Sequence, residues 1–168
     1  MAGHAKLVAI YETPFWRRVG LSGDGISHRG PLGEIHDASP QSEVTGALFG
    51  FVGIPAPERW SRSVNIIGES LAQLTAMFGP EAASPVDVLF QDWSKELHTA
   101  TAQDIDVTQL HPIYGELGSA GVLWGGRAAF ASTEAAMTFG GYLEGALEAS
   151  EAALTVVAPE CRRLFEAC

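Results

Sequence analysis

Alternation of apolar and polar positions predicts two clear β-strands in the first third of the chain. In residues 5–11 every second side chain lies on the same face, and Lys6 shares its face with apolar neighbours. Residues 45–52 are apolar on both faces, which is typical of a strand that is central or covered on both sides. Three shorter apolar segments are also predicted strands: residues 32–36, 86–90 and 128–131.

Apolar side chains recur at helical spacing in two further segments. Ser63 can cap a helix that runs to Phe78, where a Gly-Pro pair ends it. A second helix is predicted from Tyr142 to about residue 157, with glutamates along its solvent face and small residues along another face. Between these helices, residues 92–126 include a long polar and irregular stretch, and loops of that length are functional or disordered.

The composition fits one domain of mixed class. The 168 residues suffice for a hydrophobic core, and strands and helices intermingle along the chain without an internal repeat. We therefore predict a single α+β domain over residues 1–168, with a mixed or antiparallel sheet and packed helices. Only 18% of the residues are charged and 46% are hydrophobic, which favours either a face that another surface covers or an ordinary alanine- and glycine-rich composition.

Charge and cysteine content exclude several classes of partner. The net charge of −10 argues against nucleic acids and anionic membranes as partners, because both are negatively charged. Cys161 and Cys168 fit neither a disulfide framework nor a zinc site, and no histidines are paired at metal-ligand spacing. The chain shows no signal-peptide pattern and no apolar run of bilayer length, which predicts a cytoplasmic protein.

Residues 127–153 combine several features that suit a polar ligand. A short apolar strand enters the turn Ser132-Thr133-Glu134, and Gly140-Gly141 then precedes the alanine-rich helix. Backbone N–H groups at the start of a helix have no intrahelical partner and carry partial positive charge. These residues therefore predict a surface for an electron-rich ligand.

Lys6 is the other unusual position, because it places an amine in the middle of an apolar strand. One interpretation is a lysine on an apolar face whose amine has a partner, because a charged amine in apolar surroundings is otherwise costly. The other is a lysine on an edge strand whose amine reaches water. The strand pattern alone favours the edge-strand interpretation.

Residues 127–153 closely resemble the C-terminal flavin-contacting segment of the flavin-dependent amine oxidases, the monoamine oxidase-like family. Residues 3–11, followed by Pro14-Phe15-Trp16-Arg17, resemble the family strand that carries its active-site lysine. Asp92-Trp93 resembles a second family motif. The resemblance covers residues 5–153, and it implies the fold of the C-terminal part of such an oxidase.

The resemblance implies catalytic roles for three residues. Lys6 matches the lysine that holds a water near the reactive nitrogen of the flavin, and Trp93 matches a tryptophan that lies against the flavin ring. Tyr142 matches one wall of the family's aromatic cage, where its ring can guide an amine. For Trp93 and Tyr142, simple packing in the core is the alternative.

The resemblance also implies FAD as the cofactor. Thr133 and Glu134 match the family turn beside the pyrophosphate and ribityl chain, and Ser132 stands where that turn usually has glycine. The other predicted cofactor contacts lie at the start of the helix: Gly141, Tyr142 and Leu143. Without gaps, Ala102 stands where members with covalent flavin have cysteine, and Gln103 stands where the family has its first cage tyrosine. We therefore expect non-covalent FAD and a cage with one wall missing.

The nucleotide-binding half of the family is expected to be absent from this chain. The sequence has no G-x-G-x-x-G, so no N-terminal Rossmann-type FAD domain is predicted, and FAD binding by the chain alone is expected to be weak or absent. The first hypothesis is an oxidoreductase that oxidises a small amine with FAD and dioxygen, together with a separate FAD-binding chain. The alternatives are a truncated, non-catalytic remnant that self-associates and a flavin-free small-molecule binding domain. A homo-oligomer is expected because the surface facing the nucleotide-binding half would be apolar.

Overall fold

The chain divides into two compact units, Met1–Thr108 and Gln109–Cys168. The single domain predicted over residues 1–168 stays a prediction. No helix in the part of the chain that the structure describes is long and apolar enough to cross a bilayer. The structure, a computed structural model, describes residues 3–42, 44–61, 65–105, 114, 122–125 and 128–166.

A five-stranded antiparallel sheet forms the frame of the first unit. The strands lie in the order β2-β3-β4-β1-β5, so β1 and β4 are interior strands. The strands predicted around residues 5–11, 32–36, 45–52 and 86–90 are confirmed, with small differences at their ends. The observed strands are β1 (Ala5–Tyr11), β2 (Gly25–Ile26), β3 (Leu32–Asp37), β4 (Gly46–Val52) and β5 (Asp87–Asp92).

Short helices and turns connect these strands. The longest is α3, and its predicted end at Phe78 is confirmed. Its cap is Asn65, whose side chain accepts a hydrogen bond from the N–H of Gly68 at 3.0 Å, whereas the predicted cap Ser63 lies outside the described residues. The helices of the first unit are α1 (Phe15–Arg18), α2 (Ala56–Ser61), α3 (Ile66–Phe78) and α4 (Ala102–Ile105), and 3-10 turns span Pro80–Ala83 and Trp93–Lys95.

The two faces of the sheet differ in burial. On one face Leu7 of β1 and Leu48 of β4 are fully buried in a cluster with Leu74 of α3 and with Trp16. Burying a leucine side chain contributes about 1.5–3 kcal/mol, so this cluster is the main source of stability of the unit. On the other face, the interior strands carry half-buried side chains, among them Lys6.

Gln73 fixes α3 against β3. Its Oε1 accepts a hydrogen bond from the backbone N–H of Leu32 at 2.9 Å, and its Nε2 donates to the Leu32 carbonyl at 2.7 Å. The buried amide of Gln73 therefore supplies hydrogen-bond partners to the N–H and the carbonyl of Leu32, which would otherwise be buried without them.

The second unit contains a short hairpin and the longest helix among the described residues. Strands β6 (Val122–Leu123) and β7 (Ala128–Ala129) are antiparallel, a 3-10 turn spans Thr133–Ala135, and α5 spans Leu143–Glu166. The helix begins beside the predicted start and extends beyond residue 157. Helices and antiparallel strands in both units confirm the predicted α+β class.

Asp37 joins the end of β3 to α1. Its Oδ2 accepts hydrogen bonds from Trp16 Nε1 at 2.9 Å and Arg17 Nε at 2.8 Å, and its Oδ1 accepts one from the N–H of Ser39 at 2.8 Å. Burial alone would raise the pKa of Asp37, but the hydrogen bonds from Ser39, Trp16 and Arg17 outweigh burial and lower it to about 2. The ionised carboxylate therefore stabilises the folded state.

Asp37→Asn is expected to lower the free energy of unfolding by about 2 kcal/mol near pH 7. The pKa of Asp37 is about 2 in the folded state and 3.8 ordinarily. The stabilisation is therefore complete at pH values above 3.8, and it is lost as the pH falls towards the folded-state pKa of about 2. Urea unfolding near pH 7 and about pH 3 measures the difference between wild type and variant, which shrinks at the lower pH. Asp24→Asn is the control, because Asp24 is exposed. An equal loss at both pH values would contradict this account of Asp37.

Candidate functional site

β1 presents Lys6 beside two phenylalanines of β4. The Lys6 Nζ lies 5.1 Å from the ring centroid of Phe51 and 5.5 Å from that of Phe49. An ammonium group over an aromatic ring is attracted by the ring quadrupole, so both rings stabilise the lysine charge. We call this side of the sheet the lysine face; it carries Lys6, Val8, Glu34, His36, Phe49, Phe51 and Gln91.

The position of β1 decides between the two interpretations of Lys6. β1 lies between β4 and β5, so the edge-strand interpretation is wrong. Lys6 is directly opposite Phe51 on one side and Gln91 on the other. The lysine therefore points from an interior strand onto a partly aromatic surface.

Trp93 follows β5 in a 3-10 turn. Its backbone N–H donates to the carbonyl of His4 at 3.0 Å, two residues before Lys6, so both predicted residues lie at the same end of the β1-β5 pair. Its Nε1 is buried and has no hydrogen-bond partner among the described residues. An unpaired buried donor costs about 1–3 kcal/mol, which makes this atom a candidate for contact with a ligand.

A buried ion pair adjoins Trp93. Arg59 Nη2 lies 2.6 Å from Asp92 Oδ1, and Arg59 Nε lies 3.0 Å from Asp92 Oδ2. The two side chains are 3% and 6% exposed. Arg59 also donates to the carbonyls of Gly3 and Ile54, so one guanidinium connects α2, the chain before β1 and the end of β5.

Asp92 in turn caps the turn that carries Trp93. Its Oδ1 accepts from the N–H of Ser94 at 3.1 Å and from the Ser94 hydroxyl at 2.5 Å. Burial would raise the pKa of Asp92, but hydrogen bonds from Arg59 and Ser94 outweigh burial and lower the pKa. The role of Arg59 was missed from the sequence, because no local pattern links it to a carboxylate 33 residues away.

In the second unit, Thr133 joins the predicted turn to the glycine pair. Its Oγ1 accepts a hydrogen bond from the N–H of Gly141 at 2.7 Å and donates to the carbonyl of Tyr142 at 2.9 Å. Tyr142 is 69% exposed, so the alternative interpretation, a tyrosine packed in the core, is wrong. Through Thr133 the structure joins the two segments that carry the predicted cofactor contacts, which are Ser132, Thr133, Glu134, Gly141, Tyr142 and Leu143.

Two carboxylates stabilise this arrangement. A hydrogen bond from Ser132 and one from the backbone of Glu134 itself lower the pKa of Glu134. Glu148 accepts hydrogen bonds from the backbone N–H groups of residues 137–139 at 3.0 to 3.3 Å. Burial would raise the pKa of Glu148, and these backbone bonds lower it on balance. The helical pattern suggested that Glu148 belongs to a purely solvated stripe. In the structure it instead binds the loop before the glycine pair.

The predicted site residues fall into two groups, one in each unit. Lys6 and Trp93 belong to the first unit, and the turn and helix start belong to the second. Ala102 is the first residue of α4, and the side chain of Gln103 lies outside what the structure describes.

Comparison with known proteins decides the family. The model of the family "Flavin containing amine oxidoreductase" matches residues 1–156. The chain belongs to this family. The resemblance seen in the sequence is therefore confirmed, and so is a flavin, FAD, as the cofactor of the family. The comparisons give no support to the two alternatives, a non-catalytic remnant and a flavin-free binding domain.

Individual members of the family show the extent of the similarity. The "probable flavin-containing monoamine oxidase A" of Dictyostelium discoideum is 33% identical over 152 residues, which are 88% of this chain and 32% of that protein. A putrescine oxidase of Kocuria rosea is 37% identical over 117 residues, which are 63% of this chain and 23% of that protein.

A solved structure agrees in fold. The cyclohexylamine oxidase of Brevibacterium oxydans IH-35A superimposes with a TM-score of 0.72 at 26% identity, over 96% of this chain and 36% of that one. The chain therefore spans about a third of the length of the monoamine oxidase and of the cyclohexylamine oxidase, and its antiparallel sheet and helices match part of the fold of the latter.

Arg59→Met is expected to destabilise the chain by about 3 kcal/mol, because it leaves the buried Asp92 carboxylate without its partner. The matched control is Arg18→Met. Arg18 pairs with Glu81 at 2.6 Å on the surface, where an ion pair contributes at most about 1 kcal/mol. Urea unfolding compares the two variants. Equal losses of stability would contradict the special role of the buried pair.

Gly145→Ala is expected to destabilise the second unit by about 1–3 kcal/mol. A Cβ at Gly145 would overlap the Phe139 carbonyl and lie 2.8 Å from Thr133 Oγ1. Helix propensity alone predicts the opposite sign, because alanine stabilises helices relative to glycine by about 1 kcal/mol. The control is Gly33→Ala, where a Cβ meets open space. A rise in the melting temperature of Gly145→Ala would show that α5 does not pack against the loop in this way.

Proposed function

We propose that this chain supplies the amine-binding side of a FAD-dependent amine oxidase that transfers electrons from a small amine to dioxygen. The observation that carries this proposal is the placement of Lys6 over Phe49 and Phe51 at the same end of the sheet as Trp93. An amine substrate needs a partly apolar, aromatic surface next to the group that takes part in the reaction. The lysine face has this character.

The residues of the second unit fit a flavin. Gly141 has a φ of 86°, which a residue without Cβ adopts without strain, and its N–H donates to Thr133 Oγ1 at 2.7 Å. α5 begins two residues later, at Leu143, so the N–H groups of its first turn can donate to an electron-rich ring or phosphate. In the first unit, the unpaired Nε1 of Trp93 is a donor of the kind that a bound cofactor or its water can satisfy.

The bound flavin supplies the redox chemistry, in which a hydride leaves the carbon beside the amine and dioxygen finally takes up the electrons. With the flavin bound, Lys6 would donate a hydrogen bond from its ammonium to a water and so supply a group that helps to transfer protons. In the first unit, Trp93, Phe49 and Phe51 would contact the hydrocarbon part of the amine. Tyr142, in the second unit, keeps the role of cage wall that the resemblance implies. Water then hydrolyses the imine product to a carbonyl compound and ammonia or a smaller amine.

The partners of the chain are part of the same proposal. The sequence lacks G-x-G-x-x-G, so we propose that a separate FAD-binding chain supplies the nucleotide-binding part and that FAD is held non-covalently. Self-association, one domain over residues 1–168 and a cytoplasmic location stay predictions. The exposed Tyr142, Leu143 and Leu147 provide apolar surface that a partner can cover.

Absorption spectroscopy after gel filtration tests the cofactor proposal. FAD added to the purified chain is expected to separate from it. FAD added together with the G-x-G-x-x-G half of a related amine oxidase, supplied as a separate chain, is expected to co-elute with both chains. Visible flavin bands on the chain alone would overturn the need for a separate FAD-binding chain. Loss of the bands in the presence of both chains would overturn the proposed cofactor site.

Lys6→Met is expected to slow amine-dependent release of hydrogen peroxide by the assembled oxidase by roughly 100-fold, as removal of a group that positions a proton-transferring water does. The sequence offers a matched control, because Lys95 is the other lysine and it is exposed. Lys95→Met is expected to retain the rate. Equal rates for Lys6→Met and wild type, with flavin bound in both, would contradict the role of Lys6.

A further inference from the structure

α3 and the loop between β2 and β3 border a cavity of about 450 Å³ in the first unit. The α3 residues that line it recur at helical spacing and form one face of the helix: Glu69, Ala72, Gln73, Ala76 and Met77. α3 packs on the side of the sheet opposite Lys6, because its Leu74 is buried in one cluster with Leu7. The sheet therefore separates this cavity from the lysine face.

The loop wall of the cavity is held in place by its own hydrogen bonds. The Ser27 hydroxyl donates to the carbonyl of Arg29 at 2.8 Å and accepts from the N–H of Arg29 at 3.1 Å. Gly30 follows with a φ of 85°, and a Cβ there would overlap the side-chain amide of Gln73. The loop thus lies directly against α3, and both walls of the cavity have a fixed geometry.

The cavity has a charged end and an apolar end. Arg29 directly precedes the glycine that touches Gln73, and Glu69 is one helical turn before Gln73, so both charged side chains lie toward the same end. Met77 is one turn after Gln73, about 6 Å along the helix, with Ala76 beside it. A ligand with charged groups at one end and an apolar group at the other fits this arrangement.

The polar groups at the charged end have bonding capacity that the protein does not use. Arg29 and Glu69 are exposed, and neither side chain forms an ion pair with another described residue. Gln73 is only 9% exposed. Its amide carries two N–H donors, of which the Leu32 carbonyl takes one, and the second has no partner within the described ranges. Because a buried donor without a partner is costly, this N–H favours an acceptor oxygen inside the cavity.

We propose that this cavity binds an apolar α-amino acid. The carboxylate of the ligand accepts hydrogen bonds from the Arg29 guanidinium and from the second N–H of Gln73, and the ammonium pairs with the Glu69 carboxylate. The apolar side chain of the ligand packs on the two alanines and on Met77. Since the sheet lies between this ligand and Lys6, the ligand is bound without being oxidised, and its binding does not depend on the proposed oxidase activity.

Isothermal titration calorimetry of the chain tests this proposal with three probes that share one aromatic ring. They are L-phenylalanine, 2-phenylethylamine, which lacks the carboxylate, and 3-phenylpropionate, which lacks the ammonium. Phenylalanine is expected to bind at least about 10-fold more tightly than either analogue, because only phenylalanine satisfies both charged residues. Equal affinities of the three probes, or no binding of phenylalanine, would overturn the proposal.

Two substitutions test the two charges separately. Arg29→Gln is expected to remove the advantage of phenylalanine over 2-phenylethylamine, and Glu69→Gln is expected to remove its advantage over 3-phenylpropionate. Glu12→Gln is the matched control, because Glu12 is exposed and does not line the cavity. An advantage that survives in the corresponding variant would contradict the role given to that residue.

Ala76→Phe tests the location of the ligand. Ala76 is exposed on α3, so the larger side chain is expected to fill the cavity with little change in the melting temperature of the chain. The affinity for phenylalanine is expected to fall by at least about 10-fold. Unchanged binding of phenylalanine to Ala76→Phe would place the ligand elsewhere and overturn the proposal.

Discussion

Pairing of β1 with β4 on one side and with β5 on the other is the constraint on which the first unit depends. Because side chains of a strand alternate, the burial of Leu7 and its neighbours in the core forces Lys6 onto the opposite face. A shift of the register by one residue would exchange the two faces and bury the lysine. The hydrophobic core therefore determines where the amine lies, although it makes no contact with it.

The buried ion pair between Arg59 and Asp92 adds a second constraint on the same region. Such a pair contributes little net stability, because both charges lose their hydration. Its geometry is nevertheless demanding, since the guanidinium also bonds two carbonyls and the carboxylate also bonds Ser94. The pair thereby fixes the turn that carries Trp93 relative to the start of β1. We regard this positioning as the reason for placing two charges in the interior.

In the second unit, hydrogen bonds with two side chains organise the backbone around the glycine pair. Thr133 uses its hydroxyl on Gly141 and Tyr142, and Glu148 satisfies three consecutive N–H groups of the preceding loop. Tyr142 and Leu143 are left exposed at the start of α5. The internal bonds hold the backbone in place, so the helix start keeps its geometry although its side chains are exposed.

Local patterns in the sequence predicted the elements well. Alternation located β1 and β4, helical spacing located α3 and α5, and the motifs around Lys6, Trp93 and Thr133 identified the family. These features depend on residues that are close in the chain, where the geometry of strands and helices leaves few alternatives.

The tertiary structure decided what depends on distant residues. Periodicity could not show that Lys6 belongs to an interior strand, that Gln73 binds the backbone of Leu32, or that Arg59 is the partner of Asp92. The helical periodicity also placed Glu148 on the solvent face, although the loop before α5 folds back onto the Glu148 carboxylate. Strand order, register and buried pairs are set by packing of the whole core, so they become visible only when the chain is folded. The sequence by itself determined the elements and the family, and the tertiary structure decided which polar and charged side chains from distant parts of the chain meet.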